Sequence, residues 1–293
     1  MVLQSSLKVQ VLVSAVMQDA RELAEKMNIE TDAVIVNQCD AFDYQEFTVP
    51  LHQKAPKKAE ASQTDDEAGA DREAVGNLGK IRSFSMKERG VGLSRNTALM
   101  HADVDTGICL FSDEDVVLEK GYAKKVREAY ERYPDADMIL FNVKVAPARR
   151  TYWNERDKRI HWYNYGRYPA YSISGRTEKL RCANVYFSLL FGGGAKYSNG
   201  EDSLFLRDCL RAGLKIYAVA DCIGEEAERE STWFHGFTGK FFTDRGVLYY
   251  YLYGKLAKVF ALRFLFKNKG EMCKDIPFSK AYRLMKEGIL SQR

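Results

Sequence analysis

The chain has 293 residues, of which 46% are hydrophobic, 12% aromatic and 29% charged, and its net charge is +4. That hydrophobic content excludes a disordered chain, and the length suits one sizeable α/β domain with an appendage. The six cysteines (Cys39, Cys109, Cys182, Cys209, Cys222, Cys273) form no Cys-x-x-Cys pair, which argues against a zinc site or a disulfide framework and fits a reducing compartment.

Met1 to Gln10 lacks a basic stretch followed by an apolar run and a small-residue cleavage site, so a cytoplasmic location is expected. Leu7 to Ser14 is a valine-rich run suited to a central strand. Asp19 starts a helix reaching about Asn28, and Ala33 to Val36 is a second apolar strand ending in Asn37-Gln38-Cys39-Asp40. Strand, helix, strand predicts a parallel crossover, which places Ser14 and Asn37 to Asp40 on one sheet edge. Asn37 and Asp40 either line that edge for a ligand or form the turn through local side-chain hydrogen bonds. Gln45 to Val49 reads as another short strand. From Gln53 to Asn77 the chain is dominated by Lys, Ala, Glu, Asp, Gln and Gly, has no aromatic residue, and is expected to be a mobile surface excursion. Ile81 to Met86 resumes an alternating strand pattern.

The stretch from Glu88 to Val116 carries the first concentrated signal. It reads as a basic, Gly-containing loop, a helix with Ala98, Leu99 and Ala102 on its apolar side, and a strand from Ile108 to Phe111 that closes on Asp113-Glu114-Asp115. Acids at the carboxyl end of a buried strand sit where open α/β sheets bind ligands. Such a cluster needs neutralising, either by a divalent cation or by Arg89 and Arg95. These arginines, near a helix N-terminus, would meet a phosphate or hold the carboxylates; the other reading is solvated surface arginines.

Gly121 to Tyr133 is an amphipathic helix stopped by Pro134, and Met138 to Val145 is the next strand. Arg149 to Tyr171 is dense in aromatics (Trp153, Trp162, Tyr163, Tyr165, Tyr168) and in Arg149, Arg150, Arg156 and Arg159. It allows a nucleic-acid surface, a sugar-binding wall or the packing of a sheet onto a helix, and the acidic remainder of the chain argues against nucleic acid. Gly192 to Gly194 lacks the Gly-Lys-Ser/Thr ending of a phosphate loop, so the glycines serve a sharp turn or a close backbone approach. Glu201 and Asp202 precede an amphipathic helix, where acids suit the helix start. Leu214 to Ala220 is the last core strand.

Lys240 to Arg293 holds 12 Lys and Arg against 4 Asp and Glu, an excess of +8. Val247 to Phe266 is rich in Tyr, Leu and Phe, but Lys255, Lys258 and Arg263 interrupt it well short of the roughly 18 apolar residues a spanning helix needs. It is either an interfacial helix on an anionic leaflet or a helix that caps the sheet.

Gly90, Ser94, Arg95 and Asn96, followed by an apolar strand closing on Asp113-x-Asp115, resemble family 2 glycosyltransferases of the GT-A fold. The Glu201-Asp202 pair is a second match, and Ser231-Thr-Trp-Phe-x-Gly236 followed by Lys240 to Gly246 looks like bacterial surface-polysaccharide members. The resemblance implies an α/β, Rossmann-like, mostly parallel sheet flanked by helices. Residues 1–239 would bind the nucleotide sugar and carry catalysis, and 240–293 would be a basic helical extension. Asp113 and Asp115 would hold Mn²⁺ or Mg²⁺ against the diphosphate of a nucleotide-sugar donor, with His235 as a further ligand unless it is a packed or surface histidine. Ser14, Asn37, Asp40, Arg89 and Arg95 would contact the donor, the first three at its uracil and ribose. Asp202 would be the base, with Glu201 as its supporting or acceptor-orienting neighbour, or the reverse. The implied reaction is inverting transfer to a saccharide or lipid-linked acceptor, and the charge and aromatics of the tail add an expected peripheral membrane contact. A non-catalytic nucleotide-sugar or polysaccharide-binding module and a metal-dependent nucleotidyltransferase are the other classes these residues allow.

Overall fold

The structure, a computed structural model, describes residues 7–50, 78–103, 105–147, 150–227 and 236–292. The excursion expected at Gln53 to Asn77 and the histidine at 235 lie outside the described residues.

Alternation of side chains along the strands builds a sheet with two buried faces. In β1 (Val9–Val16), Leu12 points to one core, while Val9, Val11, Val13 and Ala15 point to the other. In β5 (Ile108–Asp113), Cys109 and Phe111 join the first core, and Ile108 and Leu110 the second. Burying each large apolar side chain contributes about 1.5–3 kcal/mol, so a register slip in either strand would be costly. Between them in sequence come α1 (Ala20–Lys26), β2 (Asp32–Gln38), β3 (Asp43–Pro50), β4 (Leu78–Met86) and α2 (Val91–Met100). Asp19 caps α1, its side chain accepting from the amides of Arg21 and Glu22. The strand, helix, strand unit read from the sequence is present: β2 and β5 both pair with β1 in parallel, with Ala15 opposite Asn37 and Ser14 opposite Asp113.

After β5 the chain runs through β6 (Val116–Leu118), α3 (Tyr122–Arg132), β7 (Met138–Lys144), β8 (Lys158–Arg159), β9 (Ile173–Arg176), α4 (Thr177–Ala183), α5 (Glu201–Arg211) and β10 (Ile216–Glu226). The described strands form one mixed sheet in the order β3-β4-β2-β1-β5-β9-β7-β10-β6, with β8 beside β10. β9 lies antiparallel between β5 and β7, and β10 returns parallel to β7. β10 runs past the predicted end at Ala220 because its register with β7 shifts twice, between Ala218 and Cys222 and again before Gly224. That extension carries Glu226 to the strand end.

Three helices close the chain: α6 (Gly239–Tyr253), α7 (Ala257–Met272) and α8 (Phe278–Leu290). Val247 to Phe266 is therefore not one helix, because Gly254, at φ +53°, ends α6 and a 3-10 turn leads into α7. α6 and α8 approach closely because both carry glycine at the crossing. A Cβ at Gly246 would come within 2.1 Å of the Met285 carbonyl, and one at Gly288 within 2.1 Å of the Thr243 carbonyl. Phe242, Val247, Met285 and Ile289 share one continuous core with Phe205 of α5 and Phe111 of β5. No helix among the described residues is long and apolar enough to cross a membrane.

The aromatic segment after β7 divides. Tyr152, Tyr165 and Tyr168 are buried, with Tyr168 donating to Asn154 (2.9 Å) and Tyr152 to the Phe141 carbonyl (2.7 Å). Packing of the sheet thus accounts for these three, while Trp162 and Tyr163 remain exposed.

Candidate active site

The carboxyl ends of β1, β2 and β5 align, and α2 crosses above them. Three successive residues of α2 fasten the region. Ser94 bonds the Val36 carbonyl (3.2 Å), and Asn96 exchanges two hydrogen bonds with the backbone of Phe187 (2.8 and 2.9 Å). Arg95, only 4% exposed, projects into the edge. Its Nη2 donates to both oxygens of Asp113 (2.9 and 3.0 Å), and its Nη1 to Glu201 (3.0 Å) and Asp202 (3.1 Å). One guanidinium therefore joins the acid that ends β5 to the acid pair that opens α5. The planar fork suits this, since it presents several donors in fixed directions. The Phe187 ring lies 5.4 Å below the guanidinium and stacks on Phe205 at 4.0 Å, giving the charge a rigid floor.

Electrostatics in the cluster are poised. Burial opposes a charge on Arg95, but Asp113, Asp202 and Glu201 overcome this and raise its pKa, so it stays protonated. Burial and the neighbouring Glu201 push the Asp202 carboxyl well above the usual carboxylate range, against the opposing pull of Arg95. The Asp202 side chain keeps 24% of its surface open, enough for a small group to reach it. A carboxylate with a raised pKa and one open side can accept a proton.

These residues face a cleft of about 570 Å³, within the usual range for small-molecule sites. Its walls include Ser14, Arg89, Arg95, Asp113, Asp115, Glu201 and Asp202 from the sequence reading. Asp113 meets Arg95 directly, so one of the two neutralising agents anticipated, an arginine, is at hand for this acid. Arg89 turns from the cluster and donates to the Gln38 carbonyl and to Asp40 (3.0 Å). Asn37 and Asp40 do not line the cleft. The Asn37 amide, inside β2, is satisfied at both ends by the backbone of Gln18 (3.1 and 2.7 Å), a long-range tie to the segment after β1 rather than a local turn, and Asp40 is an exposed partner of Arg89.

Sequence reasoning missed Gln38, Glu114, Tyr171 and Glu226, which also line the cleft. Glu114, inside the acidic triplet, accepts from the Val16 amide at 2.6 Å and ties β1 to the turn after β5. The triplet itself was the signal for Glu114. Glu226 had none, because its place depends on the two register shifts in β10. The triple glycine closes the mouth: Val91 donates to the Gly193 carbonyl (2.9 Å), and a Cβ on Gly194, at φ +78°, would approach the Gly90 amide to 3.1 Å. Close backbone approach is therefore the reason for this run.

A mixed, largely parallel sheet flanked by helices, with its cleft at the strand ends and a helical C-terminal region, defines a fold of the GT-A type. No family model and no curated protein sequence matches the chain. Solved structures of S. aureus TarS do match. The 1–349 form in complex with UDP-GlcNAc aligns with a TM-score of 0.56 at 15% identity, over 92% of this chain and 74% of that one. The 1–349 form described without that ligand gives 0.57 at 14% identity, over 98% and 82%. For a third S. aureus TarS structure the values are 0.51 and 15%, over 92% of this chain and 44% of that one. At such identities the likeness carries the fold.

Proposed function

We propose that the protein is an inverting glycosyltransferase that moves a sugar from a nucleotide-diphosphate donor, a UDP-sugar, to a hydroxyl of a saccharide or lipid-linked saccharide. The observation that carries this reading is Arg95 holding Asp113 and the Glu201-Asp202 pair in one cleft. Under this reading Asp113 is the donor-side acid and Asp202 the proton acceptor, and their nearness on one cleft supports direct displacement. The UDP-GlcNAc bound to S. aureus TarS, a protein of similar fold, supports the donor class.

In the reaction, the acceptor hydroxyl attacks the anomeric carbon while Asp202 takes its proton. The new C–O bond forms as the bond from that carbon to the phosphate oxygen breaks, and the electron pair leaves with the diphosphate. Attack from the side opposite the leaving group inverts the centre. Glu201, fixed by Arg95 and accepting from the Gly200 amide (3.0 Å), positions Asp202 and keeps its pKa high.

Six carboxylates line the cleft against two arginines, and hard oxygen donors of that kind suit Mg²⁺ or Mn²⁺. Among the described residues, no three His, Cys, Asp or Glu side chains form a metal cage, so a cation here would need the donor phosphates beside Asp115 and Asp113 as ligands. When bound, such a cation would offset the charge of the leaving diphosphate. Calorimetry with UDP-GlcNAc, with and without Mn²⁺, tests the reading. Asp115→Ala should lose the metal-dependent part of donor affinity while melting normally. Unchanged affinity in that variant would remove the metal from the proposal, and no sugar transfer from any UDP-sugar would remove the reaction.

A further inference from the structure

α7 is apolar on two sides. Ala257, Ala261 and Leu265, spaced by four, are buried against the core, and one such stripe is enough to seat a helix. On the opposite side, among the described residues, Leu256 is 58% exposed, Val259 63% and Phe266 58%. Around this second stripe stand Lys255, Lys258, Arg263, Lys267 and Lys269, and the helix carries a single acid, Glu271. The aromatic cluster expected to face a membrane turns inward instead: Tyr249 is buried, its ring 5.7 Å from Phe264, and Tyr253 stacks on Phe260 at 4.0 Å. Of the outward stripe, Phe266 has one ring neighbour, Phe278 of α8 at 4.9 Å, and the exposed remainder is left for an outside partner.

We propose that this face of α7 docks on an anionic lipid bilayer, with Leu256, Val259 and Phe266 in the headgroup boundary and the flanking cations at lipid phosphates. Charge decides the occupant. The segment from Lys240 onward carries an excess of +8, so a second copy would set cations against cations, whereas an anionic leaflet complements them. No helix of the described residues is built to cross a bilayer, so contact would be with its surface.

The test is co-sedimentation of the full chain with phosphatidylcholine vesicles and with vesicles that also contain phosphatidylglycerol. Partitioning should be stronger by about tenfold or more on the anionic vesicles. It should weaken as added salt shortens the screening length below about 10 Å. Two variants separate the contributions: Leu256→Ser with Val259→Ser and Phe266→Ser, and Lys255→Gln with Lys267→Gln and Lys269→Gln. Both alter exposed positions; the cation variant should melt like the parent, the apolar variant slightly below it because it gives up the Phe266–Phe278 ring contact, and each should lose most of the binding. Equal partitioning of the parent and both variants, or none to either vesicle, overturns the proposal. So does a lipid-free dimer in ultracentrifugation that the apolar variant dissociates, because the stripe would then belong to a second copy. No readout involves turnover, so the result stands apart from the proposed reaction.

Discussion

Arg95 and Arg245 are both drawn out of water, and they are held in opposite ways. Arg95 meets three carboxylates at the sheet edge, and their attraction outweighs the burial that opposes its charge. Arg245, on α6, lies 5.2 Å from the Phe241 ring centre and 5.3 Å from that of Phe264, and meets no carboxylate among the described residues. Burial lowers its pKa. The first arginine organises other charges, while the second is accommodated by ring faces. A buried ion cluster is an expensive way to stabilise a fold, since desolvation offsets most of its attraction. Its value at the sheet edge lies in holding acids close together in a buried place, where burial first and then Glu201 raise the pKa of Asp202 against the pull of Arg95. The helical region has no such task and fills its interior with aromatic packing.

Replacing Arg95 by Met should have the largest effect. It leaves three carboxylates crowded without a counter-charge, so stability in urea should fall by about 3–5 kcal/mol and transfer should disappear. Arg95→Lys should recover part of the stability but not the transfer, because one ammonium cannot reproduce the fork. Next is Asp202→Asn, expected to lower transfer by about a hundredfold or more while donor binding persists. Retained turnover would move the base to Glu201. The same variant should be more stable than the parent at neutral pH, because a neutral amide relieves the repulsion from Glu201.

The pH dependence follows from the direction of the Asp202 shift. Its pKa is raised in the folded state, so the folded chain holds this proton more firmly than the unfolded chain. The resulting stability is fully present below the unfolded value, about 3.9, and is lost as pH rises through the folded value. The melting temperature of the parent should therefore fall relative to Asp202→Asn as pH climbs above the ordinary carboxylate range. Transfer should rise over that same window as the base ionises. A flat difference between the two melting profiles would mean that Asp202 is not shifted.

Smaller effects are expected from Arg245 and Asn37. Arg245→Met keeps the bulk between the rings and loses only the cation–π attraction, so its cost in urea should stay within about 1 kcal/mol. A cost matching that of Arg95→Met would mean that this guanidinium also anchors a charge. Asn37→Ala should cost about 1 kcal/mol through its lost bonds to Gln18 and leave donor affinity unchanged. A marked loss of affinity would return Asn37 to the site.

What the sequence by itself determined is local and periodic. Apolar runs at Leu7 to Ser14, Ala33 to Val36 and Ile108 to Phe111 specify buried parallel strands, because residues with both neighbouring faces apolar can be satisfied only between two helical layers. The same runs place Asp113 to Asp115 at a strand end, and the acids at Glu201-Asp202 mark a helix start, so most of the cleft was legible. Tertiary structure alone decided which of these groups meet. Arg95 and Asp202 are 107 positions apart, and their contact depends on α2 and α5 settling into the same core beside the end of β5. It also decided that Asn37 turns to Gln18, that the register shifts of β10 deliver Glu226, and that Tyr165 and Tyr168 are core while Trp162 is surface. The physical reason is that periodicity records which side of an element is apolar, whereas the partner across that side is chosen by packing between segments distant in the chain.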